Sequence, residues 1–139
     1  MKKLALLLLS TILLAQNNCD DNPIKPENHS PVILSVNVFP VVVTPSDSVI
    51  VICNAYDPDA DTLVYDWYTD GTIRIKGARP YEIAMFNTHD NSQIFYAPDS
   101  NHVIAPQDTF WVGCAARDRK GGQDYKSIYF IVKQNIGGD

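Results

Sequence analysis

The sequence has few of the patterns that carry enzymatic chemistry. Its three histidines (His29, His89 and His102) fall in no His-x-x-His or His-Glu-x-x-His spacing, so the paired imidazoles of a helical zinc site are excluded. No Gly-x-Ser-x-Gly elbow and no glycine-rich phosphate loop occur, which removes the common serine-hydrolase and nucleotide signatures. Asp90 and Asp99 stand in polar stretches, where a solvated carboxylate is the default. Lysine and arginine number 11 against 16 acids, nowhere clustered, for a formal charge of −5. That balance argues against nucleic acid and against anionic membrane surfaces as electrostatic partners. Long stretches of helical period are missing too. The residues read as those of a protein that is not an enzyme and requires no cofactor.

What is present is the balance of a folded protein with room for one domain: 139 residues, 45% hydrophobic and 19% charged. Lys2 and Lys3 precede an apolar run from Leu4 to Leu14, interrupted only by Ser10 and Thr11. Residues 1–18 read as an export signal, since that run is too short to cross a bilayer as a helix. Without its two lysines the net charge becomes −7. Residues 19–31 read as a flexible tether, because Pro23, Pro26 and Pro31 among Asn, Glu and Ser cannot bury apolar area. At ~3.1 Å per residue such a segment holds a domain ~35 Å from an anchor.

From Val32 the pattern changes to short apolar runs divided by turn residues. Val32 to Val38 is the first predicted strand, with Val32, Leu34, Val36 and Val38 on one face. Val41 to Val43 lies between Pro40 and Pro45, as an edge strand would. Ser48 to Ala55 turns Val49, Val51 and Cys53 inward, and Thr62 to Tyr68 does the same with Leu63, Tyr65 and Trp67. Further runs lie at 72–76, 81–87, 93–97, 108–117 and 123–132, the last two joined through Lys120-Gly121-Gly122. Seven to eight strands at this spacing predict an all-β sandwich over residues 32–133, with 134–139 as a disordered tail. Cys53, a Trp 14 positions on (Trp67) and a Cys 61 positions on (Cys114) fit the pinned core of an immunoglobulin-like sandwich. In an exported chain the expected state is a Cys53–Cys114 inter-sheet disulfide, adding about 4 kcal/mol in the chain-entropy model. The alternative is two free thiols packed as small hydrophobes.

Two resemblances extend this reading. Leu13-Leu-Ala-Gln-Asn-Asn-Cys19 resembles the end of a bacterial lipoprotein signal, although Gln16 and Asn18 depart from its usual residues. The resemblance implies lipidation at Cys19, a membrane partner through that anchor, and a place in the bacterial cell envelope. That place would be the outer membrane or the cell surface, because Asp20 and Asp21 follow the cysteine; ordinary cleavage near Ala15 would give a secreted protein instead. The run Asp57-Pro-Asp-Ala-Asp-Thr-Leu-Val-Tyr-Asp-Trp67, with Asp70-Gly71, Phe95-Tyr-Ala-Pro98 and Gly113-Cys-Ala-Ala-Arg-Asp-Arg-Lys-Gly-Gly122, resembles the immunoglobulin-like modules of bacterial surface proteins. PKD-type and cadherin-like domains belong to that group, and the likeness covers about Pro31 to Val132. It implies a non-enzymatic binding or spacer module, with an extracellular protein or glycan as partner. Trp67-Tyr-Thr-Asp-Gly71 differs from the usual PKD text, cadherin linker motifs are missing, and Val112 stands where a tyrosine corner would need Tyr.

Two constellations are candidate sites. Asp57, Asp59 and Asp61 recur at every second position of one turn, and the resemblance brings Asp118 to the same end of the sandwich. Hard oxygen donors of this kind suit Ca²⁺. The count is not an EF-hand, since its sixth position is Thr62 and its twelfth Tyr68. Asp-Pro-Asp is equally a good turn sequence, and Arg117 and Arg119 stand close enough in sequence to neutralise the acids. The second constellation is aromatic. Trp111, Tyr129 and Tyr68 fall on outward phases, where they can bind a sugar ring or a protein, or shield the sheet as cross-strand pairs.

Overall fold

The structure is a computed structural model and describes residues 25–80 and 82–134. The export signal, Cys19, the first part of the tether and residues 135–139 of the predicted tail lie outside the described residues. Among the described residues nine strands form two packed sheets. One contains β1 (Val32–Phe39), β3 (Ser48–Tyr56), β7 (Ser92–Tyr96) and β5 (Arg74–Ile75), paired in the order β1-β3-β7-β5. The other contains β2 (Val42–Val43), β9 (Gln123–Lys133), β8 (Gln107–Arg117), β4 (Val64–Thr69) and β6 (Ala84–Thr88), in the order β2-β9-β8-β4-β6. All pairs are antiparallel except the short β2 against β9. This is an immunoglobulin-like sandwich, and its strands fall on the nine apolar runs of the sequence, one more than the upper expected count of eight.

The period of two explains why these residues became strands. On β3, Val49, Val51 and Cys53 are buried and the residues between them face out. On β8, Phe110, Val112, Cys114 and Ala116 do the same. The sheets close on Trp67, which has no exposed surface. Its ring meets Phe95 edge-on at 6.0 Å, and its indole N–H donates to Thr88 Oγ1 at 2.9 Å, so the polar end of the ring is satisfied inside the core.

Strict alternation fails first at the start of the domain. It would put Val32 and Leu34 inward, but the register of β1 against β3 shifts between Ile33 and Ser35. The extra residue sends Ile33 into the core and leaves Leu34 65% exposed, after which Val36 and Val38 resume the expected phase. Cys53 and Cys114 do face each other across the sheets, both buried and 3.3 Å apart, as the expected pairing requires, with no bond between them in the structure. Their mutual contact, together with burial, holds the Cys114 thiol far above its ordinary pKa.

Both ends of the domain reach past the strands. Gln134, the first residue of the predicted tail, donates its backbone N–H to Pro106 O at 3.0 Å. At the other end Pro31 is buried, and the residues before it lie against the β3–β4 and β8–β9 turns.

Candidate functional site

The outward side of the five-stranded sheet carries an unusual number of rings. Trp111 on β8 stands directly opposite Tyr129 on β9, and Tyr68 on β4 stands opposite Gly113 on β8. The sequence singled out these three aromatic residues, and all three project from this side. Two more, Tyr125 on β9 and Phe86 on β6, were not singled out. Tyr68 meets Phe86 edge-on at 5.9 Å and Tyr125 edge-on at 6.1 Å, so a row of rings crosses β6, β4 and β9.

Gly113 makes that row possible. A β-carbon at this position would overlap the Tyr125 hydroxyl and come within 2.8 Å of its ring carbons. Only a residue without a side chain lets Tyr125 lie over the strand towards Tyr68. Two shallow hollows, of about 550 and 910 Å³, flank the row and share Tyr68 and Trp111 as a common wall. Tyr125, Tyr129 and Phe86 remain 50%, 59% and 58% exposed. Partial burial holds the Tyr68 and Tyr125 phenols above their ordinary pKa, so both are neutral at physiological pH.

The acidic end is organised differently. Asp57 Oδ1 accepts from the backbone N–H groups of Asp59 (2.8 Å) and Asp61 (3.2 Å), closing the β3–β4 turn that Pro58 presets. One carboxylate oxygen from each of Asp57, Asp59 and Asp61 lies within 4.8 Å of the other two. Lys120 Nζ sits 2.6 Å from Asp61 Oδ1, and that contact raises the lysine pKa. His29 donates its backbone N–H to Asp59 Oδ2 at 2.6 Å and brings Nδ1 within 3.0 Å of Oδ1. These hydrogen bonds lower the Asp59 pKa and raise that of His29.

Asp118 does not join the three. It is buried, its Oδ1 accepting from the N–H groups of Lys120 (2.7 Å) and Gly122 (2.9 Å) and its Oδ2 from Asn28 Nδ2 (2.7 Å). The Asn28 bond leads the causes that keep its carboxyl below the usual range. Gly122 packs so closely that an added β-carbon would overlap Asp118 and lie 2.8 Å from Ser30 Cα. Residues 28–31, expected as the end of a free tether, thus form a strap across both turns. The donor set of Asp57, Asp59 and Asp61 fits a hard cation in kind. Oδ2 of Asp57 and of Asp61 is also buried without a hydrogen-bond partner. Lys120 and His29 already supply positive groups there.

A third hollow, of about 570 Å³, brings Ser46, Asp99 and His102 together. His102 Nδ1 lies 2.7 Å from Asp99 Oδ1, and both side chains are more than half exposed. Among the described residues no hydroxyl is hydrogen-bonded to His102.

Fold and faces together define an immunoglobulin-like β-sandwich, and comparison with solved structures agrees on the fold. The chain is similar to a structure of carbohydrate-binding modules from the β-sandwich superfamily, with a TM-score of 0.56 and 16% identity. That match covers 82% of this chain but only 38% of the other. A conjugative transposon lipoprotein from Bacteroides eggerthii aligns at a TM-score of 0.44 and 10% identity, covering 73% of this chain and 94% of that one. No family model matches the chain, nor does the sequence of any curated protein.

Proposed function

We propose that this chain is a non-enzymatic binding module of the bacterial cell envelope, and that the outward side of its five-stranded sheet takes a carbohydrate chain. One observation carries the reading: the exposed rings of Tyr125 and Tyr129 and the half-buried rings of Tyr68 and Trp111 share one face, with Tyr125 laid over Gly113. A sheet that needed rings only for cross-strand shielding would gain nothing from sacrificing a side chain to spread them. Flat aromatic surface beside neutral phenol hydroxyls suits the C–H face and the hydroxyl rim of a sugar ring. The β-sandwich it resembles belongs to carbohydrate-binding modules. That likeness is one of fold, and the ligand class rests on the rings.

A glycan array tests the reading. The wild type is expected to retain a subset of oligosaccharides, and Trp111→Ala to lose them at unchanged melting temperature. Retention by neither protein, or equal retention by both, rejects the aromatic face as a glycan site. A protein ligand on the same face would appear as an array without hits.

The envelope part of the proposal rests on the signal-like residues before Cys19 and on the paired cysteines of the core. It holds Cys19 to be lipidated and Cys53–Cys114 to oxidise after export. Intact mass of the purified envelope protein checks both. An unmodified Cys19 in the mature chain, or two alkylatable core thiols after denaturation without reductant, removes the corresponding claim.

A second reading, Ca²⁺ held at the β3–β4 turn, is favoured by the partnerless buried oxygens of Asp57 and Asp61. It would make the module calcium-stabilised, in keeping with the PKD-type and cadherin-like residues of that turn.

A further inference from the structure

We infer that Arg117 is the specificity-determining contact of the aromatic face, offering guanidinium N–H groups to adjacent hydroxyl oxygens of a neutral sugar. This rests on the carbohydrate reading above. Three strands converge to hold this one side chain. Asp66, on the outward side of β4, is only 4% exposed in its side chain, and its Oδ1 accepts from Arg117 Nη2 at 3.0 Å. The same oxygen accepts the backbone N–H of Asn87 at 2.8 Å. Asn87 adopts a left-handed backbone (φ 58°), uncommon for a residue with a side chain, and its Oδ1 accepts from Arg117 Nη2 at 3.0 Å. Arg117 Nε lies 2.8 Å from Asp66 Oδ2, close in distance but misaligned, so its N–H finds no acceptor.

Such an arrangement is a poor device for stability. A buried carboxylate is costly to desolvate, and its pairing with a guanidinium roughly offsets that cost without exceeding it. What the arrangement does achieve is position. The Arg117 side chain stays 35% exposed, and Nη1 donates to no acceptor among the described residues. Its two N–H groups are therefore held in place and unused by the fold.

Its place on the sheet links it to the rings. Tyr68 follows Asp66 by two residues on the same side of β4, and its ring stands between Phe86 and Tyr125. A sugar lying on that row would bring its edge to the guanidinium. With Nη2 held by Asp66 and Asn87, the two N–H groups of Nη1 are fixed in the guanidinium plane, a constraint that a freely rotating ammonium lacks. Ligand charge follows from the same contacts. Asp66 cancels the arginine locally and the chain carries −5 overall, so an anionic sugar gains little and is repelled at a distance.

The test begins with an array of neutral, uronate-bearing and sulfated oligosaccharides. Calorimetry then compares the best neutral binder with its singly O-methylated derivatives on the wild type, Arg117→Lys and Trp111→Ala. Arg117→Lys should weaken binding about tenfold or more. At least one methylated sugar should lose a similar factor on the wild type and nothing further on Arg117→Lys, the coupling expected of a direct contact. Asn87→Gly accepts the left-handed backbone and merely loosens the guanidinium; it should lose about threefold and serves as the readout if Arg117→Lys does not fold. The inference is overturned if the two losses multiply, if both variants bind as wild type, or if the best binder is acidic. In those cases failure of Trp111→Ala to bind leaves the carbohydrate reading standing. A wild type that binds no oligosaccharide overturns both.

Discussion

The acidic end and the aromatic face meet along β8, and they treat their side chains in opposite ways. At the end, most polar atoms are used by the protein itself: Asp57 closes its own turn, Asp118 holds the β8–β9 turn, and Lys120, Asn28 and His29 bind the acids. Oδ2 of Asp57 and of Asp61 stay buried without a partner. On the face, rings that together offer a large apolar area stay half exposed, and a glycine is kept to let one of them lie flat. Burial of apolar surface is the main favourable term in folding, so leaving it exposed forgoes stability. Groups that satisfy one another are explained by the fold. Apolar rings left in solvent are not explained by it, and the proposed glycan site rests on them.

The two glycines set that contrast most sharply. Gly122→Ala should be the most damaging single change, because the new methyl meets Asp118 and the Ser30 backbone, and backbone cannot swing aside. Overpacking of this kind costs about 2 kcal/mol, or a fall in Tm of roughly 10 °C. Gly113→Ala meets only the far end of the Tyr125 side chain, which can rotate off the strand. It should cost under ~1 kcal/mol and yet abolish glycan retention. Thermal melts and the array on the two variants decide this. If Gly113→Ala melts as low as Gly122→Ala, the ring row is structural and the contrast fails.

Much of the architecture was legible in the sequence, because burial on one side of a strand imposes a period of two. That period placed Cys53, Trp67 and Cys114 in the core and turned Tyr68, Trp111 and Tyr129 outward. Tyr125 could have been found the same way, four residues before Tyr129 and so in the same phase. Phe86 could not, since β6 is short, its pairing with β4 shifts register between Tyr65 and Trp67, and Asn87 leaves the extended region. Leu34 was misplaced for the same reason, a register shift that alternation alone cannot show. The acids were the loudest motif and the least decisive. Their partners, Asn28 and His29, come from a segment whose composition says only that it is extended, and Asp118 is drawn from the triad by N–H groups two and four residues ahead of it.

Calcium offers a milder challenge to the comparison. If the buried oxygens of Asp57 and Asp61 await a cation, 10 mM Ca²⁺ should raise Tm by a few degrees, the size expected for millimolar affinity. Lys120→Ala should enlarge that rise, since the ammonium on Asp61 competes for the same charge. Differential scanning fluorimetry with Mg²⁺ as control measures it. No response in either protein means the acids serve the turn alone, and the end is self-satisfied in full.

The smallest effect concerns the strap, and its sign follows from the two pKa shifts. Asp59 is depressed by the His29 hydrogen bonds, so its contribution is present above the ordinary carboxylate pKa near 3.8 and is lost as pH falls through the folded value. His29 is raised by Asp59, so its contribution is complete below 6.5 and disappears as pH rises through its folded value. The ion pair therefore acts in a window that opens near the carboxylate range at roughly pH 4 and closes as pH rises through the raised pKa of His29. Within it, wild type should melt about 1–2 °C above His29→Ala, and the two curves should merge at pH 9. Both partners are solvent-exposed, which keeps the difference small. A constant gap from pH 5 to 9 would show that the strap is held by Asn28 and the backbone N–H of His29, with the imidazole a bystander.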